Sequence, residues 1–275
     1  MSAVPAGDLL AAALLGVVQG LTEFLPVSSS GHLILSRAVF GFEAERLGLA
    51  FDVACHVGTL VAVVAYFWRD LVAMIRALPT AFSRRPSGDA RRMWLIVAGT
   101  LPVVIFALAA GDLVEVRLRT PVVAATMLAL VAVVLLVVER AGRKVRFESS
   151  LGFGEAALLG CAQAAALVPG VSRSGATIAT GMAMGLKRDE AARFSFLLGV
   201  PAILAAAGKE GLEVAGAGLA PGEWQLFVIG GVTSAVVGYA AVAVFLRFLT
   251  RHSLAAFAWY RLAVAGLFAA WWFVR

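Results

Sequence analysis

Residues 19–32 read Gln19-Gly-Leu-Thr-Glu23-Phe-Leu-Pro26-Val-Ser28-Ser29-Ser30-Gly31-His32. An apolar stretch leads into them and another follows, so the polar tract interrupts what would otherwise be a hydrophobic segment. A second tract, Pro169-Gly170-Val-Ser172-Arg173-Ser174-Gly175-Ala-Thr177, does the same later in the chain. The two align without gaps at an offset of 144 residues: Gly16 to Gln19 falls on Gly160 to Gln163, and Val27-Ser28-Ser29-Ser30-Gly31 falls on Val171-Ser172-Arg173-Ser174-Gly175. Each arm beside these tracts is short for a membrane crossing, and non-helical backbone at membrane depth survives only where protein or a wet cavity surrounds it. Residues 9–40 and 151–186 are therefore predicted to form two re-entrant helical hairpins.

Composition supports a membrane setting. Of 275 residues, 61% are hydrophobic and 15% charged, against about 25% charged in ordinary soluble domains. Mean hydropathy is +0.92. These values exclude a soluble globular enzyme, a disordered chain and a nucleic-acid-binding domain. The net charge of +6 does not restore the last, because the basic residues lie in short clusters between apolar runs. Cys55 and Cys161 sit in apolar segments without a CxxC, so no disulfide framework or thiolate metal site is expected. The N-terminus lacks the basic region of a cleavable signal; its first charge is Asp8.

A crossing helix needs about 20 apolar residues. Six full spans are predicted, at residues 50–68, 93–111, 121–138, 194–208, 224–246 and 254–274. With the two hairpins this makes an all-α polytopic membrane protein. It is one domain over 1–275, built from repeats at about 8–138 and 150–274. With the loop at 69–92 cytoplasmic, the cytoplasmic loops carry 15 of the 23 Lys and Arg residues. That bias satisfies the positive-inside rule. Both termini then lie outside, and the two hairpins enter from opposite faces, which makes the repeat an inverted one.

The chemistry-bearing residues concentrate in the two tips. Gln19 and Glu23 are four apart and share a helix face. Pro26 ends that helix, and new helices start near Gly31 and after Ser172. A helix N-terminus preceded by Ser and Gly offers free N–H groups and a favourable dipole to an anion. Arg173 adds a planar fork that matches phosphate oxygens. A phosphate or diphosphate cradle follows. Ionisable groups inside a membrane are costly and point to function by default. Two readings of Glu23 and Arg173 stand together at this stage, as parts of a site or as a structural ion pair pinning the repeats. His32 is either a general acid or base or a packing histidine. Asp52 and His56, on one face of the first full span, are candidates of second rank. Arg261, beside Tyr260, is either structural or a headgroup ligand.

The segments QGLTEFLPVSSSGH (19–32) and PGVSRSGAT (169–177), with FSFLLGVP at 194–201 and Tyr260-Arg261, resemble the undecaprenyl-diphosphate phosphatase family of the bacitracin-resistance type over nearly the whole chain. The resemblance implies a bacterial inner-membrane enzyme that hydrolyses undecaprenyl diphosphate to the monophosphate and phosphate, recycling the lipid carrier of cell-wall synthesis. It implies a divalent cation, Mg2+ or Ca2+, at Glu23, with Gln19 beside it. Some relatives carry Glu at the Gln19 position, so Glu23 is here the sole carboxylate of the motif. The expected catalytic set is Glu23, Ser29, His32 and Arg173. Ser28, Ser30, Gly170, Ser172, Ser174, Gly175 and Thr177 are expected to bind substrate. Attack by Ser29 and direct attack by water both remain open. The expected partners are a prenyl diphosphate and membrane lipids, with no nucleic acid and with a homodimer as an open option. The site is expected to open to the periplasm. The competing reading is a transporter or flippase for a phosphorylated prenyl lipid or anion, because inverted repeats with broken helices are above all a transporter design.

Overall fold

The computed structural model describes residues 4–40, 48–83, 86–217 and 223–274. Eleven α-helices follow one another: α1 (Ala6–Phe24), α2 (Ser29–Phe40), α3 (Leu49–Tyr66), α4 (Trp68–Arg76), α5 (Gly88–Leu113), α6 (Pro121–Ala141), α7 (Phe153–Ala165), α8 (Arg173–Ala183), α9 (Arg188–Ala217), α10 (Glu223–Leu249) and α11 (Ala255–Val274). Among the described residues no strand forms; a single parallel bridge joins Arg146 and Leu186.

Among the described residues, six helices are each long and apolar enough to cross a membrane: α1, α5, α6, α9, α10 and α11. The list differs from the sequence expectation at two places. The arm that became α1 is 19 residues long and passes the length test by itself, because the helix runs from Ala6 through the apolar stretch and on to Phe24. The expected span at 50–68 is bent: Ala50–Tyr66 and Trp68–Arg76 reach spanning length and hydropathy only as a pair, joined at a 71° turn at Phe67. α4 is amphipathic, with Arg69, Asp70 and Arg76 interleaved with Leu71, Met74 and Ile75. The span around Pro201 is longer than expected, since α9 continues through that proline for 30 residues. By contrast α2, α7 and α8, of 12, 13 and 11 residues, are each too short to cross.

Without a hydrophobic force between helices in lipid, close backbone packing holds such bundles together, and small residues permit it. α1 packs on α10, and α7 packs on α5. The contact is made by corresponding glycines. A Cβ on Gly16 would meet the Gly230 carbonyl, and one on Gly160 would meet the Gly99 carbonyl. Aromatic side chains fill the centre: Phe24, Phe67, Phe194 and Phe196 are fully buried, and Phe24 meets Phe196 edge-on at 5.3 Å. Large apolar side chains such as Leu108, Val137, Val236 and Leu267 are exposed, as expected of lipid-facing helix surfaces. On the side rich in Lys and Arg, the loops are tied by ion pairs. These include Arg146 on Glu155 at 2.6 Å, Arg193 on Asp70 at 2.6 Å, and Arg188 on Glu139. Arg84 and Arg85 lie outside the described residues.

Candidate active site

The tips between α1 and α2 and between α7 and α8 share one backbone design. Ser28 and Ser172 both have positive φ, 74° and 75°. Left-handed backbone is unfavourable for a residue with a Cβ and persists only where surrounding structure holds it. Each serine then caps the helix that follows. Ser28 Oγ accepts from Gly31 N at 3.3 Å, and Ser172 Oγ accepts from Gly175 N at 3.0 Å. The next hydroxyls pair alike, Ser28 with Ser30 at 3.4 Å and Ser172 with Ser174 at 3.2 Å. Three more contacts join the tips to each other and to α6. Ser174 Oγ donates to the Leu25 carbonyl at 3.0 Å. Gly170, with φ of +93°, presses on the Ala124 backbone of α6, where any Cβ would collide. Arg261 of α11 donates to carbonyls of both tips.

Glu23 stands at the junction. Its Oε1 accepts from Arg173 Nη2 at 2.6 Å. Its Oε2 accepts from Ser29 Oγ at 2.7 Å and from Gln19 Nε2 at 3.0 Å. His56 Nε2 approaches the same Oε2 at 3.5 Å. Glu23 is 7% exposed, so this is a largely buried ion pair, reinforced by a hydroxyl and an amide. Glu23, Ser28, Ser29, Ser30, Ser172 and Arg173 line a cavity of about 700 Å³. Much of the remaining wall is apolar, with Val103, Ala107, Leu108, Ile203 and Ala206, and the charged Asp52, Arg119 and Lys209 also line the cavity. A volume of this order suits a small-molecule headgroup.

The other expected residues lie around this centre. Ser174 and Thr177 are fully buried; Thr177 Oγ1 meets Ser195 Oγ of α9 at 2.5 Å and supports the tip from beneath. Gly170 and Gly175 shape the backbone. His32 faces Tyr260. Its Nδ1 is 2.7 Å from the Ser28 carbonyl, which can only accept, so Nδ1 carries the proton. Its Nε2 is 2.8 Å from the Tyr260 hydroxyl, and the two rings stack at 5.5 Å. His56, placed in the second rank by sequence, lines the cavity instead. Its Nδ1 donates to the Asp52 carbonyl at 2.7 Å, which aims Nε2 at Glu23. Asp52 itself is held by Arg37 at 2.9 Å and Arg119 at 2.6 Å. Gln163 is a residue that sequence reasoning used only to align the repeats. It lines the cavity, is 2% exposed, and neither of its amide atoms has a partner among the described residues. Its correspondence with Gln19 was the available signal.

The fit of a divalent cation can be judged from the donors. Among the described residues no cluster of three or more His, Cys, Asp or Glu is suited to hold a metal. Glu23 is a single carboxylate, but Gln19 Oε1 beside it is buried and has no hydrogen-bond partner. One carboxylate and one amide oxygen suit a hard cation that takes its remaining ligands from substrate phosphate and water.

The chain matches the family profile described as Bacitracin resistance protein BacA over residues 12–267. The chain belongs to the BacA family. This BacA-family chain is 49% identical over 266 residues to a protein of Rubrobacter xylanophilus named undecaprenyl-diphosphatase, covering 96% of this chain and 98% of that one. It is 43% identical to one of the same name from Trichlorobacter lovleyi, covering 93% and 94%, and 44% identical to one from Desulforudis audaxviator, covering 90% and 92%.

Proposed function

We propose that this BacA-family protein is an undecaprenyl-diphosphatase, a membrane hydrolase that releases phosphate from undecaprenyl diphosphate and returns the monophosphate carrier to cell-wall synthesis. One observation carries the reading beyond family membership. A serine hydroxyl and a guanidinium both donate to one carboxylate, Ser29 Oγ to Glu23 Oε2 at 2.7 Å and Arg173 Nη2 to Glu23 Oε1 at 2.6 Å. A hydroxyl within hydrogen-bond reach of a base that a third group orients is the signature of an activated nucleophile.

The reaction then runs as follows. The diphosphate lies between the tips, its oxygens on Arg173, Ser172 and the N–H groups that open α2 and α8. The first prenyl units lie along Val103, Leu108 and Ile203, and the rest of the tail passes into the bilayer. Ser29 Oγ attacks the terminal phosphorus and its proton passes to Glu23. The bond from that phosphorus to the bridging oxygen breaks, and the lipid monophosphate leaves. Water then attacks the phosphoserine, giving inorganic phosphate and restoring Ser29. His32 is the acid–base group for the leaving and entering oxygens, and it must exchange its bond with Tyr260 to act. Arg173 supplies charge stabilisation, the dominant contribution in phosphoryl transfer. A divalent cation, Mg2+ or Ca2+, held by Glu23 and Gln19 Oε1, would neutralise diphosphate charge.

The architecture extends the same proposal. Although α1 alone reaches spanning length, the pairs α1–α2 and α7–α8 are read as re-entrant hairpins of an inverted repeat in one domain, because α1 ends at Glu23 and Phe24, which are buried in protein and not in a solvated loop. The positional match of Ser28 with Ser172 and Gly16 with Gly160 supports this. The protein resides in the bacterial cytoplasmic membrane with both termini periplasmic. The cavity is walled by the ends of α5 and α9 and the start of α3, the side away from the Arg-rich loops, which supports opening to the periplasm. The deciding assay is phosphate release from a prenyl diphosphate in detergent, where nothing separates two compartments. Release abolished by Ser29→Ala supports the enzyme; binding without release would favour a carrier of phosphorylated lipids.

A further inference from the structure

Arg261 is fully buried, and its guanidinium has no carboxylate partner among the described residues. It donates instead to five carbonyl oxygens. Two belong to α6, Leu128 at 3.1 Å and Met127 at 3.2 Å. One is Pro26 of the first tip at 3.0 Å. Two are Gly170 at 2.7 Å and Val171 at 3.3 Å in the second tip. A desolvated cation is expensive, and neutral carbonyls offset only part of that cost.

Two features show that it does more than join helices. The guanidinium lies against the first turn of α8, where a Cβ on Gly175 would be 3.6 Å from Nη1. A cation beside the positive end of a helix is a repulsive arrangement. Arg173 in the same turn does not relieve it, because its charge is already balanced by Glu23. The second tip therefore holds one positive charge that no carboxylate among the described residues balances. The other feature is backbone orientation. In a trans peptide the C=O and N–H point in opposite directions, and the described residues contain no cis bond. Since Arg261 takes the Val171 carbonyl, the N–H of Ser172 points away from the guanidinium. Ser172 lines the cavity, and no backbone acceptor among the described residues takes that N–H.

We propose that Arg261 is a positioning residue for the diphosphate, turning the Ser172 N–H into the cavity and supplying the positive charge that the bound anion balances. This rests on the phosphatase reading for the identity of the anion. Arg261 touches no substrate; it acts through the backbone of the second tip.

The test compares wild type with Arg261→Gln, Arg261→Lys and Phe268→Ala in detergent. Phe268 lies about two turns along α11 from Arg261 and packs with Ala265 of α11, Leu35 of α2 and Leu128 of α6, so its variant loosens α11 while removing neither the guanidinium nor any of the five carbonyls. Binding of inorganic diphosphate is read by calorimetry, kcat and KM by phosphate release, and stability by Tm. Arg261→Gln should weaken diphosphate binding about tenfold or more, the scale of losing a charged partner. Arg261→Lys keeps the charge but not the fork, so it should bind within about threefold of wild type while kcat falls. Phe268→Ala should lower Tm and leave binding unchanged. Wild-type binding in Arg261→Gln overturns the proposal. So does an equal loss of binding in Arg261→Gln and Phe268→Ala at matched Tm. Should the Gln variant not fold, Arg261→Lys decides alone, and an unchanged kcat overturns the proposal. Wild type that binds inorganic diphosphate yet releases no phosphate from the lipid removes the phosphatase reading and leaves the binding comparison in force.

Discussion

Gly199 of α9 leaves the space that the Arg173 guanidinium occupies. A Cβ at that position would overlap Arg173 Nη1, and one turn earlier the Ser195 carbonyl accepts from the same nitrogen at 3.5 Å. A glycine inside a helix costs roughly 1 kcal/mol relative to alanine, so Gly199 trades helix stability for a seat for Arg173. Gly199→Ala should move the end of a flexible side chain rather than the helix. We expect phosphate release to fall at least about tenfold, as for a misplaced catalytic group, with Tm unchanged or slightly raised. Full activity in the purified variant would show that Arg173 does not act from this seat.

The ion pair of Glu23 and Arg173 is open to a double-mutant cycle. Arg173→Ala should lower turnover by about 10²–10³, the cost of removing one transition-state donor. Arg173→Lys should also be impaired, since it lacks the bidentate fork. If the pair were only architecture, Glu23→Ala with Arg173→Ala would recover stability by removing both buried charges. We expect the double variant to stay inactive. An active, restabilised one would convert the pair from chemistry to scaffold.

The two histidines make separable claims. His32 is engaged at both ring nitrogens, by the Ser28 carbonyl and the Tyr260 hydroxyl. His56 faces Glu23 across 3.5 Å. With His32 as the acid–base group, His32→Ala should reduce turnover by about 10²–10⁴, and Tyr260→Phe, which frees Nε2, should be tolerated. Near wild-type release by His32→Ala, with a large loss in His56→Ala, would move the role to His56.

Gln19 offers a test of the cation. Gln19→Glu places a second carboxylate beside Glu23. We expect it to lower the Mg2+ or Ca2+ concentration that gives half-maximal phosphate release in chelator-treated protein. Activity that persists at full rate in excess chelator, in both wild type and variant, would remove the cation from the mechanism.

Topology can be checked by labelling in a background lacking Cys55 and Cys161. The outer loop around Glu45 lies outside the described residues, so exposed Arg117 is a second position on that side. Arg117→Cys and Glu45→Cys should react with an impermeant reagent on intact cells, and Ser87→Cys should not. The reverse pattern would invert the orientation and place the cavity mouth in the cytoplasm.

The sequence by itself determined the membrane class, the two interrupted segments and their offset, because apolar run length and the position of Pro, Gly and Ser are local properties. It also placed Glu23, Ser29 and Arg173 together, since intramembrane charges are too costly to lie apart. Helix lengths were less legible. The extent of α1, the bend at Phe67 and the passage of α9 through Pro201 depend on what packs against each helix, and hydropathy does not carry that. The tertiary structure alone decided which side chains face the cavity. The sequence ranked His32 above His56, yet the His32 ring turns to Tyr260 and the His56 ring to Glu23, because Tyr260 comes from α11 and His56 itself from α3. Arg261 was readable as an anomaly and nothing more. Its partners are carbonyls, which every residue possesses, so only the folded arrangement of Pro26, Leu128, Gly170 and Val171 shows what that charge holds.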